Sequence, residues 1–130
     1  MRRPRGTYPR SRHIGALAAA VDELADLTRH ATAVVDKRVY TMFSDEGLAL
    51  ADEQAWTDMF VCGIDTEVCV LKTAVDAFEL GIRPWLVTDA SASHSGQEPH
   101  NAGVLFAQKM IGRKQAIACS EIEGILSLES

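Results

Sequence analysis

Three side chains with useful polar chemistry, Lys37, Cys69 and Asp89, each stand shortly after an apolar run. Lys37 follows Val34 and Val35, Cys69 comes six residues after the stretch 56–63 (WTDMFVCG), and Asp89 follows the stretch 85–88 (WLVT). A thiolate attacks carbonyl carbon, a neighbouring ammonium favours that anion, and a carboxyl group carries protons. Cys69 also lies about one turn into a helix expected to begin near Asp65 or Thr66. The free N–H groups and dipole of a helix start favour anions, a thiolate included.

Each of these residues also has a plainer reading. A free cysteine is commonly a small buried apolar group, and a lone lysine is commonly solvated. Asp89 can cap the loop Ser91–Ser93 through side-chain to backbone bonds, and for it that structural role is preferred. Cys62 and Cys119 sit within apolar strands and are read as core residues. Tyr40 and Phe43 either line a pocket or cover the core. His94 and His100 are six apart and flank Pro99, poor spacing for metal ligands, so neither a metal nor another cofactor is expected. Glycine loops for nucleotides, the nucleophile elbow of serine hydrolases and C-x-x-C pairs are all missing.

The elements that must position these groups follow from periodicity. Ile14, Leu17, Val21, Leu24 and Leu27 recur at helical steps, and the β-branched run Thr32–Val35 reads as a strand ending at Asp36 and Lys37. A cluster at Ser44–Gly47 opens a short helix, and 56–63 reads as a strand buried on both faces. Residues 66–80 form the clearest helix, with Gly81 where a capping glycine belongs. A strand over 85–88, a polar loop over 91–99, a helix over 101–111, a strand over 115–119 and a short helix from Glu121 complete the series. Alternating strands and helices predict α/β architecture with a mostly parallel sheet and right-handed crossovers. In such sheets ligands bind beyond the carboxyl ends of the strands, the edge where Lys37, Cys69 and Asp89 would meet.

Composition sets the outer bounds. With 130 residues, 47% apolar and 24% charged, the chain suits one soluble domain with a real core. Three cysteines without close pairing argue against a disulfide framework and for a cytoplasmic setting. No apolar run is long enough to span a membrane. Residues 1–12 hold five arginines and no acid, which leaves residues 13–130 at −10 within a chain of net charge −5. An acidic body disfavours nucleic acid as a partner. Pro4, Gly6 and Pro9 deny the basic start a helix, so 1–12 is read as a disordered tail and 13–130 as the domain. A basic arm holding an anionic partner is a weaker use of the same residues.

The stretch 61–77 (VCGIDTEVCVLKTAVDA) resembles the signature of the isochorismatase-like cysteine hydrolase superfamily, which includes nicotinamidases and carbamoylsarcosine amidases. That signature is a strand followed by G-x-x-T-x-x-C-V-x-x-T-A-x-D-A on a helix. Gly63, Thr66, Cys69, Val70, Thr73, Ala74, Asp76 and Ala77 match it. Val35–Lys37 with Tyr40–Phe43, and Gly81 with Trp85–Ala90, are similar to flanking family segments, so the resemblance covers roughly residues 20–120.

The resemblance implies a three-layer α/β/α fold and a catalytic aspartate, lysine and cysteine. Cys69 would attack a carbonyl or imino carbon of a small-molecule amide, and Lys37 would stabilise its thiolate. A cis peptide at Ile64–Asp65 would aim N–H groups, that of Cys69 among them, at the developing oxyanion. Tyr40, Phe43 and Thr66 are candidate pocket residues. The family's aspartate segment, a strand ending in V-I-D-x-Q, has no match before Lys37, because Asp22 and Asp26 fall on a helical pattern. The chain therefore reads as a partial, N-terminally truncated domain. Missing strands would leave an edge or face uncovered, which favours homo-oligomers. A catalytically inert homologue that only self-associates is the alternative to an active hydrolase.

Overall fold

A computed structural model describes residues 29–128 of the chain. The helical pattern over 14–27 and the basic tail 1–12 lie outside the described residues. The chain divides into two compact units at Val34/Val35, and the fold that follows belongs to the second. In the first, the described residues 29–34 are exposed and begin with a turn at Arg29 and His30.

The expected strand Thr32–Val35 does not form. Its residues have β-branched character, but Val34 is 68% exposed and no described strand offers a hydrogen-bond ladder alongside. β propensity expresses packing on a pleated surface, and without that surface it has no effect. Lys37 consequently follows irregular backbone rather than a strand end.

Helix α1 (Asp45–Gln54) starts at Ser44, whose Oγ accepts the Gly47 N–H at 3.4 Å, with Asp45 and Glu46 favouring the positive first turn. Strand β1 (Asp58–Ile64) leads through Asp65 into one π-helical turn (Thr66–Val70), which continues as α2 (Leu71–Glu79). The end of α2 is a Schellman motif. The Ile82 N–H reaches the Ala77 carbonyl at 2.9 Å and the Gly81 N–H reaches that of Phe78 at 3.1 Å, with Gly81 at φ +82°.

Strand β2 (Arg83–Ala92), helix α3 (Gln97–Ile111), the two-residue strand β3 (Ala116–Ile117) and helix α4 (Ile122–Ser127) follow. The order β1-β2-β3 is parallel throughout. The fold is therefore α/β, a parallel sheet with flanking helices, as the alternation of patterns requires.

Strand β2 is longer than its apolar run. It pairs with β1 in one register up to Val61↔Leu86, then again at Gly63↔Ser91 and Ile64↔Ala92. Between those two registers β2 carries the extra residues of a bulge, closed by the Ser91 hydroxyl donating to the Val87 carbonyl at 2.8 Å. The polar stretch expected as loop from Ser91 therefore begins as strand.

Val61 and Leu86 face Val70, Ala74, Ala107 and Ile111, so α2 and α3 cover one face of the sheet. A second apolar cluster joins Phe43, Ala51, Ala77 and Ile82. On the other face Phe60 stacks on Trp85 at 6.2 Å, and the Trp85 indole N–H donates to Asp58 at 3.1 Å. Cys62 points to that face and is exposed, and Cys119, in a 3₁₀ turn after β3, is exposed as well. Both were expected in the core. An apolar run does not say which of its faces the described helices cover.

Candidate active site

Cys69 stands fourth in the π turn, partly exposed, immediately beyond β1. The turn is set by the Val70 N–H, which reaches back to the Asp65 carbonyl at 3.2 Å, a five-residue span. Single π turns of this kind occur often at functional positions. The Ile64–Asp65 peptide bond is cis.

The residues just before Cys69 are held from the segment that links β2 to α3 and from the first turn of α3. Asp65 accepts the His94 backbone N–H at 2.9 Å and pairs through its second oxygen with His94 Nδ1 at 2.5 Å. Thr66, fully buried, shares a 2.6 Å hydrogen bond with His100 Nδ1. Glu67 Oε1 accepts the Ser93 hydroxyl at 2.6 Å, whereas its buried Oε2 has no partner. Three consecutive side chains are thus tied to one segment about thirty residues away.

Helix α3 comes close enough to complete this clamp because residue 103 lacks a side chain. A Cβ on Gly103 would lie 2.8 Å from both the Cα and the N of Glu67. Those are backbone atoms and cannot rotate aside. Alanine gains about 1 kcal/mol of helix propensity over glycine, but overpacking costs about 1–3 kcal/mol, so the clash wins. Gly103→Ala should lower the melting temperature by roughly 5 °C. A thermal melt showing an unchanged or raised midpoint would contradict this close approach.

The Lys37 segment reaches helix α2, which continues the Cys69 turn, by another route. The Met42 N–H donates to Thr73 Oγ1 at 3.0 Å, one turn beyond Cys69. Asp76, a further turn along, takes hydrogen bonds from Lys72 and Thr41. Burial would raise the Asp76 carboxyl, but these two bonds and the Lys72 charge outweigh it and hold the group below its ordinary value. The Lys37 ammonium itself donates to the carbonyls of Val39 at 3.0 Å and Tyr40 at 2.9 Å.

Of the three residues expected to meet, Lys37 is turned to its own loop and Asp89 to Cys119. Cys69 lies in the π turn that continues into α2, and the Lys37 segment is tied to α2 through Met42. Asp89 accepts the Cys119 N–H at 2.9 Å, a structural bond to the turn after β3 rather than to Ser91–Ser93. That N–H, followed by the Cys119 thiol, holds the Asp89 carboxyl below its ordinary value. Asp89 in turn pushes the Cys119 thiol up, first by its hydrogen bond.

Among the expected pocket residues, Phe43 is buried in the second apolar cluster, Tyr40 is 65% exposed and Thr66 is enclosed. None lines either of two surface recesses, one bounded by Thr88, His100, Asn101 and Val104 and one by Leu48, Ala51, Trp56 and Ile82. Phe43 covers the core because α1 and α2 close over it, and Thr66 is enclosed because His100 caps it. Sequence reading missed Ser93, His94, His100 and Gly103, having weighed the histidines only as metal ligands. Among the described residues no group of side chains is arranged to hold a metal ion, and no helix is long and apolar enough to cross a membrane.

Comparison with known proteins adds to this geometry. The isochorismatase domain family matches residues 2–116. A streptothricin hydrolase of Streptomyces noursei is 45% identical over 62 residues, 47% of this chain and 22% of that protein. An uncharacterised isochorismatase family protein of Bacillus subtilis is 35% identical over 82 residues, 62% of this chain and 43% of the relative. The solved pyrazinamidase/nicotinamidase of Streptococcus mutans is 30% identical with a TM-score of 0.58, covering 79% of this chain and 54% of its own. The chain spans less than half the length of the two curated relatives.

Proposed function

This chain belongs to the isochorismatase family, and from that premise we propose that it is a hydrolase that cleaves a C–N bond of a small amide or related substrate, with Cys69 as nucleophile and Lys37 as its cationic partner. The Cys69 sulfur adds to the carbonyl carbon as the thiolate, and the tetrahedral oxyanion is stabilised by N–H groups at the start of the turn. The C–N bond then breaks, the nitrogen leaves with the proton given up by the thiol, and a thioester remains. Water adds to the thioester, the S–C bond breaks, and the carboxylic acid departs as the thiol is restored. Asp65 and Asp89 already hold His94 and the Cys119 N–H, so neither is assigned the proton transfer.

One observation carries this reading. The Lys37 segment is hydrogen-bonded through Met42 to Thr73, one helical turn beyond the candidate nucleophile. Iodoacetamide tests it. Cys69 is the least accessible of the three free thiols, since Cys62 and Cys119 are exposed. An activated Cys69 should nevertheless alkylate first under native conditions. Labelling that simply follows exposure, with Cys62 ahead, would remove the case for an activated thiol.

A second reading is a chain without turnover that associates with its own copies. It draws on Lys37, whose ammonium donates to Val39 and Tyr40 rather than to the thiol. A monodisperse monomer by light scattering, together with measurable amide hydrolysis, would dispose of it.

A further inference from the structure

We infer that His100 is a positioning residue for Cys69, acting through the buried hydroxyl of Thr66. This rests on the proposed role of Cys69 as nucleophile. Thr66 opens the π turn and is 0% exposed, so its hydroxyl has no access to water. A buried hydroxyl without a partner is costly, and rotation alone cannot satisfy it. His100 Nδ1 is the partner found, at 2.6 Å.

Cys69 lies three residues beyond Thr66 within the same turn. Fixing the turn at Thr66 therefore fixes the direction of the thiol. The bond reaches across thirty-four residues, from the first turn of α3 to the turn after β1. It is reinforced where Gly103 lets α3 meet the Glu67 backbone, and by His94 on Asp65 and Ser93 on Glu67. Loss of His100 would leave the other two ties in place but release the one residue among the three that is fully enclosed. His100 also borders the recess with Thr88 and Asn101, so its ring is held between that recess and the turn.

The test uses the full chain and reads the alkylation rate of Cys69 by iodoacetamide relative to that of Cys62 in the same molecule. Cys62 lies on β1, exposed and outside the π turn, so the ratio cancels general effects of reagent and solution. His100→Leu should lower the ratio by about tenfold, the worth of one hydrogen bond expressed in reactivity. His100→Asn places an amide group near the former Nδ1 position and should restore most of it. With an active amide substrate, kcat should fall with KM nearly unchanged, and the asparagine variant should recover it.

Should His100→Leu fail to fold, Thr66→Val supplies the same loss from the other partner, and the pair Thr66→Val with His100→Asn should show no additional loss. A ratio that stays at the wild-type value in His100→Leu or Thr66→Val, or an asparagine variant no better than leucine, would overturn the inference. The two readings separate cleanly. A shifted alkylation ratio with turnover surviving in Cys69→Ser would keep the clamp and discard the nucleophile. Turnover lost in Cys69→Ser with an unshifted ratio would do the reverse.

Discussion

Replacing Cys69 by serine should reduce amide turnover by about 10³-fold or more while leaving the melting temperature within a degree or two. The exchange alters one atom at a partly exposed position, so packing around Val70 and Ala74 is kept. The chemistry is not kept. A serine hydroxyl is a weak nucleophile unless an adjacent general base takes its proton, and a protonated lysine cannot do so. The measurement is steady-state hydrolysis of a panel of small amides, with mass spectrometry of rapidly quenched wild-type protein for the thioester adduct. An adduct on Cys69 in the wild type and none in the variant is the expected pair of results. Turnover within tenfold of wild type in the serine variant would move the chemistry to another residue, however well the turn matches the family's motif.

How much of this site could be read beforehand depends on the range of the interaction. The helix after β1, its glycine cap and the placement of Cys69 near its start follow from apolar spacing and one glycine, all local signals. The parallel sheet follows from alternating strand and helix runs. Failures appear wherever a long-range partner decides. The run Thr32–Val35 has strand-forming residues, yet no described neighbour pairs with it. Cys62 sits in an apolar run, but α2 and α3 cover only the Val61 side. The bulge in β2 is a register choice between strands, invisible in either strand alone.

The clamp is the clearest instance. Ser93, His94 and His100 look like loop and helix-start polar residues, and only folding brings them to Glu67, Asp65 and Thr66. Glycines behave alike. Gly81 announces its cap by position, whereas Gly103 and Gly47 matter for the backbone packed against them, that of Glu67 and that of Met42.

Gly47→Ala should be among the most damaging of single substitutions, and its damage should reach the site. A Cβ at residue 47 would stand 2.0 Å from the Met42 carbonyl oxygen and 3.0 Å from its carbon. Overlap of that size with backbone cannot be relieved by a rotamer change, so the segment 41–43 must move. Movement strains the Ser44 N–H bond to the Met42 carbonyl, 2.9 Å, and the Met42 N–H bond to Thr73, 3.0 Å. It also draws Phe43 from the apolar cluster it shares with Ala51, Ala77 and Ile82. Two weakened hydrogen bonds at about 1 kcal/mol each, with partial loss of a buried aromatic, exceed the roughly 1 kcal/mol that alanine gains in a helix. A net loss of about 2–3 kcal/mol is expected by urea unfolding.

Thr73→Val separates the anchor from the clash. It removes the acceptor for Met42 without adding bulk at residue 47, and should cost about 1–2 kcal/mol. If the Lys37 segment supports Cys69, both variants should slow Cys69 alkylation in the order of their structural damage, Gly47→Ala more than Thr73→Val. Loss of stability in both variants with Cys69 reactivity untouched would mean that the segment braces the helix and does nothing for the thiol.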